Sequence, residues 1–246
     1  MINPNLPQEK IKSVVVSTEY AYVTDELKRL GISIISSVEA CDLPFYERFH
    51  ADMQIHNFGN DAYFLRNSCS LLKKEIIRVN SEANIIIESQ SISEKYPNNI
   101  SLNGAFIGDY YICNESHSNN ELLRRYIENG VQIINVKQGY AKCSTVIVSH
   151  NAIITDDDDI YNKCRCIKDI EILKADKGSV RLRGYDYGFI GGCSLKLDKN
   201  TLAFCGDVRT HSDYHNIKTF CKNHNVELLS LSNDALTDIG GLVAVK

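Results

Sequence analysis

Apolar segments alternate with polar turns along this chain, and they do so in a recurring order. Between residues 191 and 231, two β-prone segments, Gly191–Leu197 and Thr201–Cys205, flank the polar turn Asp198–Asn200. An amphipathic stretch containing Ile217 follows, and the apolar segment Val226–Leu231 ends the unit. The pattern predicts a unit of strand, turn, strand, helix and strand.

The same order recurs along the rest of the chain, which predicts a repeat architecture. Four units are continuous, and they span residues roughly 45–90, 96–137, 138–178 and 186–232. The fifth is split: its first strand, Gly240–Val245, ends the sequence, and its remainder, roughly residues 10–40, begins it. Pairing the two ends closes a ring and removes exposed sheet edges. We therefore predict one domain, residues 1–246, with five ββαβ units arranged as an α/β propeller.

Composition narrows the class of protein further. The formal net charge of the 246-residue chain is −4, which disfavours a dominant nucleic-acid surface. No apolar run is long enough for a membrane span, and the polar stretch Met1–Lys12 is unlike a signal peptide. We therefore expect a cytoplasmic protein with no membrane partner. The oligomeric state is left open.

Nine cysteines are scattered along the chain. The odd count and the absence of an export signal predict reduced thiols. Cys164 and Cys166 form only a CxC, and no CxxC pair supports a zinc site. We expect no structural metal.

A ring of ββαβ units resembles the pentein family. That family contains arginine deiminases, dimethylargininases, amidinotransferases and agmatine deiminases, and also the non-catalytic ribosome anti-association factor. The segment His50-Ala51-Asp52-Met53 is similar to the His-x-Asp-Met signature of arginine deiminases. The resemblance implies that His50 is a general acid/base and that Asp52 binds a substrate guanidinium. On a strand, both side chains would face the central cavity. Alternatively, they satisfy each other in a polar channel.

The segment Gly139–Ser144 resembles the glycine-rich approach to the nucleophilic cysteine of deiminases. Cys143 lies two repeats beyond His50, as the family order requires, so the resemblance implies that Cys143 is the nucleophile. A thiolate needs a depressed pKa, which Lys142, His50 or the charge of the substrate could provide. Alternatively, Cys143 is a buried core residue. Cys193, after Gly191 and Gly192, is the rival nucleophile.

Three further residues complete the candidate site. Asp238 precedes Gly240-Gly241 and by resemblance would partner the catalytic histidine, or it is a turn residue. Asp207 resembles a second guanidinium-binding aspartate, although helix capping explains it equally well. Asn103 is expected to line the same cavity. The segment Tyr185–Gly188 is expected to be a turn or a rim over the cavity.

Two functions follow from the resemblance. The first is a hydrolase or an amidinotransferase-like enzyme that acts on a cationic guanidine or amidine through a cysteine nucleophile, without a cofactor. The second is a non-catalytic binding protein like the ribosome anti-association factor. Because the fold does not decide between these two functions, the geometry of the site has to distinguish them.

Overall fold

The computed structural model describes residues 3–67, 70–89 and 92–245. Within these ranges the chain forms five three-stranded sheets. The strands are β1 (Ser13–Val16), β2 (Ser33–Ser36), β3 (Ile55–Phe58), β4 (Asp61–Phe64), β5 (Asn84–Ile87), β6 (Ala105–Ile107), β7 (Tyr110–Cys113), β8 (Gln132–Asn135), β9 (Thr145–Ile147), β10 (Ala152–Thr155), β11 (Glu171–Lys174), β12 (Ser194–Lys196), β13 (Thr201–Phe204), β14 (Glu227–Ser230) and β15 (Val243–Ala244).

Helices connect the strands within each unit. They are α1 (Ala21–Arg29), α2 (Ala51–Gln54), α3 (Ser70–Val79), α4 (Asn120–Glu128), α5 (Asp158–Cys164) and α6 (Tyr214–Asn223), with 3₁₀ turns at Phe45–Glu47, Glu115–His117, Gly191–Cys193 and Val208–Thr210. In every sheet the first and second strands are antiparallel, and the third is parallel to the second. A parallel pair needs a crossover, and five of the helices supply it.

In every sheet the middle strand is buried more deeply than the third strand. All four residues of β1, β4 and β10 are buried, whereas the third strands β2 and β5 are exposed at their ends. Each crossover helix packs an apolar stripe on this layer; α4, for example, buries Leu122, Leu123 and Tyr126. Asn119 caps α4 by accepting a hydrogen bond from the Leu122 backbone N–H at 2.8 Å.

The predicted pairing of the two ends is confirmed. Val14 lies opposite Ala244 and Val15 opposite Val243 in an antiparallel ladder, while β1 pairs with β2 on its other side. The fifth unit is therefore assembled from both ends of the chain. This pairing closes the ring of five sheets.

A buried polar group stabilises one part of the core. The imidazole of His56 contacts the backbone oxygen of Leu102 at 3.0 Å and the hydroxyl of Tyr126 at 2.6 Å. Tyr126 also stacks on Tyr111, with ring centroids 4.1 Å apart. Burial lowers the pKa of His56 to about 4, so this histidine is neutral at physiological pH.

The first strands begin later than predicted. Segments expected to be strand are helical or turn immediately before β3, β9 and β12: Ala51–Gln54 is α2, residues 141–144 form a turn and Gly191–Cys193 is a 3₁₀ turn. His50 precedes α2 as its N-cap. The local apolar pattern permits a strand, but hydrogen bonds from distant segments fix the turns, such as that from the Asp52 N–H to the Gly240 oxygen at 3.0 Å.

Two whole-chain expectations concern membranes and disulfides. Among the described residues, no helix is both long enough and apolar enough to cross a membrane. The eight cysteines in the described ranges are all free thiols, six of them buried. Cys69 lies outside the described residues.

Candidate active site

A cavity of about 310 Å³ brings together residues from four of the five units. Its lining residues are Glu47, His50, Tyr140, Cys143, Leu182, Tyr185, Asp186, Tyr187, Phe189 and Asp238. Three of them are carboxylic acids, and none is lysine or arginine. The wall thus combines a thiol, an imidazole, carboxylates and aromatic rings, and its charge favours a cationic ligand.

Cys143 lies in the turn before β9, and its side chain is 3 % exposed. Its thiol donates to Oδ2 of Asp52 at 3.2 Å and accepts from Nδ2 of Asn103 at 3.2 Å. Burial and the nearby negative charge of Asp52 raise the pKa of Cys143 well above its usual range. The sulfur is therefore protonated in this environment, and neither Lys142 nor His50 makes it a resting thiolate.

Asp52 faces the thiol and is absent from the cavity wall, which corrects the strand-based expectation. Because Asp52 belongs to α2, it does not share one face of a strand with His50, as the sequence had predicted. Its Oδ2 accepts the Cys143 thiol, and its buried Oδ1 has no hydrogen-bond partner in the described structure. Burial raises the pKa of Asp52, an effect that the positive charge of Lys142 partly offsets.

His50 lies on the cavity wall and is almost fully buried. Gly240, at a φ of 77°, packs directly against the imidazole, and a Cβ on Gly240 would overlap the ring. Burial lowers the pKa of His50, while the charges of Asp52 and Glu47 raise it by less. A neutral imidazole that lines the same cavity as a thiol has the chemistry of a general base.

Asp238 also lines the cavity, but its predicted pairing with His50 is wrong. Its Oδ1 accepts from the Gly240 N–H at 2.9 Å and its Oδ2 accepts from the Phe189 N–H at 3.0 Å. Among the described residues, no hydrogen bond joins Asp238 to His50, and the charges that raise the His50 pKa are those of Asp52 and Glu47. Burial raises the pKa of Asp238 to about 6.

Two other predicted residues lie away from the cavity. Asp207 caps the turn Val208–Thr210 and forms an ion pair with Arg209 at 2.8 Å, as the capping alternative predicts. Cys193 is buried in the core, where its thiol donates to the Ile190 oxygen at 3.1 Å. Neither side chain lines the cavity, so neither is placed to bind or attack a ligand there.

Asn103 acts on the cavity through Cys143. Its Nδ2 donates to the sulfur, and its Oδ1 accepts from the backbone N–H groups of Lys142 and Cys143 at 3.1 and 3.2 Å. The expected lining role is therefore corrected: Asn103 is buried behind the cysteine and fixes the position of its turn.

Glu47 is a functional candidate that the sequence analysis missed. Its carboxylate accepts from the hydroxyls of Tyr185 at 2.6 Å and Tyr140 at 3.3 Å, and from Nδ2 of Asn99 at 3.3 Å. The backbone N–H of His50 donates to the backbone carbonyl oxygen of Glu47 at 2.9 Å, so one turn of the chain places both side chains on the cavity wall. The sequence feature that could have identified Glu47 is its spacing of three residues from His50, Glu-x-x-His. This spacing does not match the two-residue period of a strand.

The segment Tyr185–Gly188 lies at the mouth of the cavity. Tyr185, Asp186 and Tyr187 line it and remain partly exposed. The ring of Tyr185 also packs edge-on against that of Tyr46, with centroids 6.3 Å apart. The rim interpretation is therefore confirmed.

Among residues 3–67, 70–89 and 92–245, no group of three or more His, Cys, Asp or Glu side chains could hold a metal ion.

Solved structures with the same fold are guanidine-modifying enzymes. An amidinotransferase from Microseira wollei in the saxitoxin biosynthetic pathway is 12% identical, with a TM-score of 0.58 over 97% of this chain and 96% of that chain. The inosamine-phosphate amidinotransferase of Streptomyces griseus is 10% identical, with a TM-score of 0.58 over 100% of this chain and 97% of that chain. The DDAH of Pseudomonas aeruginosa, solved with citrulline, is 10% identical, with a TM-score of 0.56 over 91% of this chain and 93% of that chain.

These similarities confirm the pentein α/β-propeller fold predicted from the repeats. No curated protein sequence matches the chain significantly. One family model does match it, over residues 15–243, which is nearly the whole length. The protein therefore belongs to the family of unknown function DUF6873, and this member of the family has a pentein fold.

Proposed function

We propose that this protein is an enzyme that modifies a guanidine or an amidine, with Cys143 as the nucleophile and His50 as the acid/base. One observation carries the proposal: Cys143 and His50 share a cavity whose charged side chains are all carboxylic acids. A cationic, planar substrate fits such a wall, and the solved enzymes of the same fold act on compounds of this kind.

The protons and bonds balance in two half-reactions. His50 takes the proton of the Cys143 thiol, and the sulfur attacks the central carbon of the substrate to form a C–S bond. The adduct breaks a C–N bond, and His50 gives its proton to the leaving nitrogen. Water then attacks the same carbon while His50 accepts a proton from it. The C–S bond breaks, the proton on His50 passes to the leaving sulfur, and the product releases its extra proton to water. An amine in place of water gives amidine transfer.

Substrate charge is central to this scheme because the resting thiol is protonated. A cation in the cavity lowers the pKa of a neighbouring thiol and opposes the effect of Asp52. Asp238, fixed by two backbone N–H groups, supplies a negative charge that cannot rotate away from the substrate. The cavity therefore couples binding of a cation to formation of the nucleophile.

A second candidate is a binding protein without catalysis. The raised pKa of Cys143 favours it, because a thiol held by Asp52 and Asn103 is a poor nucleophile until a cation binds. The two candidates differ in whether a small amidine makes Cys143 reactive.

Selective labelling distinguishes them. The protein is treated with 2-chloroacetamidine, a cation, or with 2-chloroacetamide, a neutral molecule of the same size, and the adducts are located by peptide mass mapping. Catalysis predicts preferential labelling of Cys143 by the amidine, lost in His50→Ala. The buried Cys193 should stay unlabelled. Labelling that is spread over exposed Cys41 and Cys166, without an amidine preference, would refute the catalytic proposal.

A further inference from the structure

Glu47 differs from the other acidic side chains near the cavity in the kind of partners it has. It is 4 % exposed, and each hydrogen bond it accepts comes from a neutral phenol or amide: Tyr185, Tyr140 and Asn99. Among the described residues, no lysine or arginine forms an ion pair with it. Burying a carboxylate without a counter-ion is costly, so burial raises the pKa of Glu47, and a bound cation would favour its charged form.

The other carboxylates are less available to a ligand. Both oxygens of Asp238 accept backbone N–H groups. Asp52 accepts the Cys143 thiol and does not line the cavity. Asp186 lies on the exposed rim, where water screens its charge. Glu47 alone is both buried in the wall and held only by side chains that can turn away.

The bonds to Glu47 also leave room for a ligand. A carboxylate offers about four lone-pair sites. The Tyr140 and Asn99 contacts are long, at 3.3–3.4 Å, and only the Tyr185 contact, at 2.6 Å, is short. A guanidinium or amidinium presents two parallel N–H donors that match one carboxylate. The rings of Tyr140 and Phe189, 6.0 Å apart, add aromatic faces that attract a cation.

We propose that Glu47 is a specificity-determining residue that binds the planar cationic group of the substrate, and that the hydrogen bond from the Tyr185 hydroxyl orients its carboxylate. This inference rests on the proposed function of the cavity. It assigns to Glu47 the cation-binding role that the sequence pattern had given to Asp52 and Asp207.

The test compares labelling of Cys143 by 2-chloroacetamidine and 2-chloroacetamide in the wild type and in Glu47→Gln. The two reagents share a leaving group, so the ratio of their rates measures the preference for a cation. Loss of a charge-assisted hydrogen bond should lower this ratio by roughly 10- to 100-fold. The chloroacetamide rate should change by less than about threefold, since the substitution keeps the size of the side chain.

Asp186→Asn is the matched control because it removes one negative charge from the same cavity at an exposed position. In Asp186→Asn, the ratio of the amidine labelling rate to the amide labelling rate should fall by no more than about threefold. Glu47→Asp keeps the charge but shortens the side chain, and should give an intermediate ratio. This variant also keeps the test valid if Glu47→Gln unfolds, which a melting curve would show.

The outcomes separate this inference from the proposed function. If the wild type shows no amidine preference, both proposals are overturned. If the wild type prefers the amidine, and Glu47→Gln keeps that preference within twofold or Asp186→Asn loses it equally, only the role of Glu47 is overturned. A large loss confined to the Glu47 variants supports it.

Discussion

Replacing Asn103 by alanine should destabilise the protein, because this buried amide fixes the turn that carries Cys143. The variant loses the acceptor of the Cys143 backbone N–H, which is 3.2 Å from Oδ1, and the donor to the sulfur. The Lys142 N–H keeps a second acceptor, the backbone oxygen of residue 103, also at 3.2 Å. The substitution therefore orphans one buried backbone donor rather than two.

One orphaned donor costs about 1–3 kcal/mol, and the lost volume raises the total to roughly 2–4 kcal/mol. For a chain of this size, each kcal/mol lowers the melting temperature by about 2–4 °C, so a fall of roughly 5–15 °C is expected. Circular dichroism during a thermal ramp measures it.

A matched control is Asn216→Ala, since Asn216 is an exposed residue of α6 that donates only to Asp213. It should change the unfolding free energy by less than about 0.5 kcal/mol. A fall of under about 2 °C for Asn103→Ala would contradict the assigned hydrogen bonds.

Three other perturbations test separate parts of the structure. In Gly192→Ala, the added Cβ would overlap the Asp238 carboxylate, so amidine labelling of Cys143 should fall at least about tenfold, as measured by mass mapping; an unchanged rate would refute the role of Asp238. Burial raises the pKa of Asp156 to about 7, so the folded protein holds this proton more tightly than the unfolded chain does. Its contribution to the free energy of unfolding is therefore lost as pH rises from about 4 to 7. Asp156→Asn should therefore gain about 1–3 kcal/mol relative to wild type between pH 5 and pH 8 in urea unfolding, and a constant difference would contradict this. Tyr126→Phe leaves Nε2 of His56 without its partner and should cost about 1–3 kcal/mol in the same assay; a neutral effect would exclude that hydrogen bond.

The order of elements was predictable because apolar periodicity and polar turns are local signals. The split fifth sheet was predictable for the same reason, since the segments around Val14 and Val243 complete a unit only together. The turn that contains His50 and Asp52 was not predictable. Its apolar residues fit a strand, and it is fixed by a hydrogen bond from the Asp52 N–H to the backbone oxygen of Gly240, which lies near the other end of the chain.

The same distinction applies to the site. The family resemblance and the order of repeats together predicted that Cys143 and His50 share one cavity, but they could not show that Asp207 is already paired with Arg209. Glu47 gave no periodic signal, and its importance arises from tyrosine hydroxyls contributed by other units. Residues that act through distant neighbours are those that a local pattern cannot identify.

The pairing of β15 with β1 has a consequence for synthesis on the ribosome. Val14 and Val15 find their antiparallel partners only after almost the whole described chain has been made. Until then, one edge of β1 is open, and an open edge can pair with other chains. Because such long-range pairing is also slow, we expect this edge to stay open to other chains until β15 has been made.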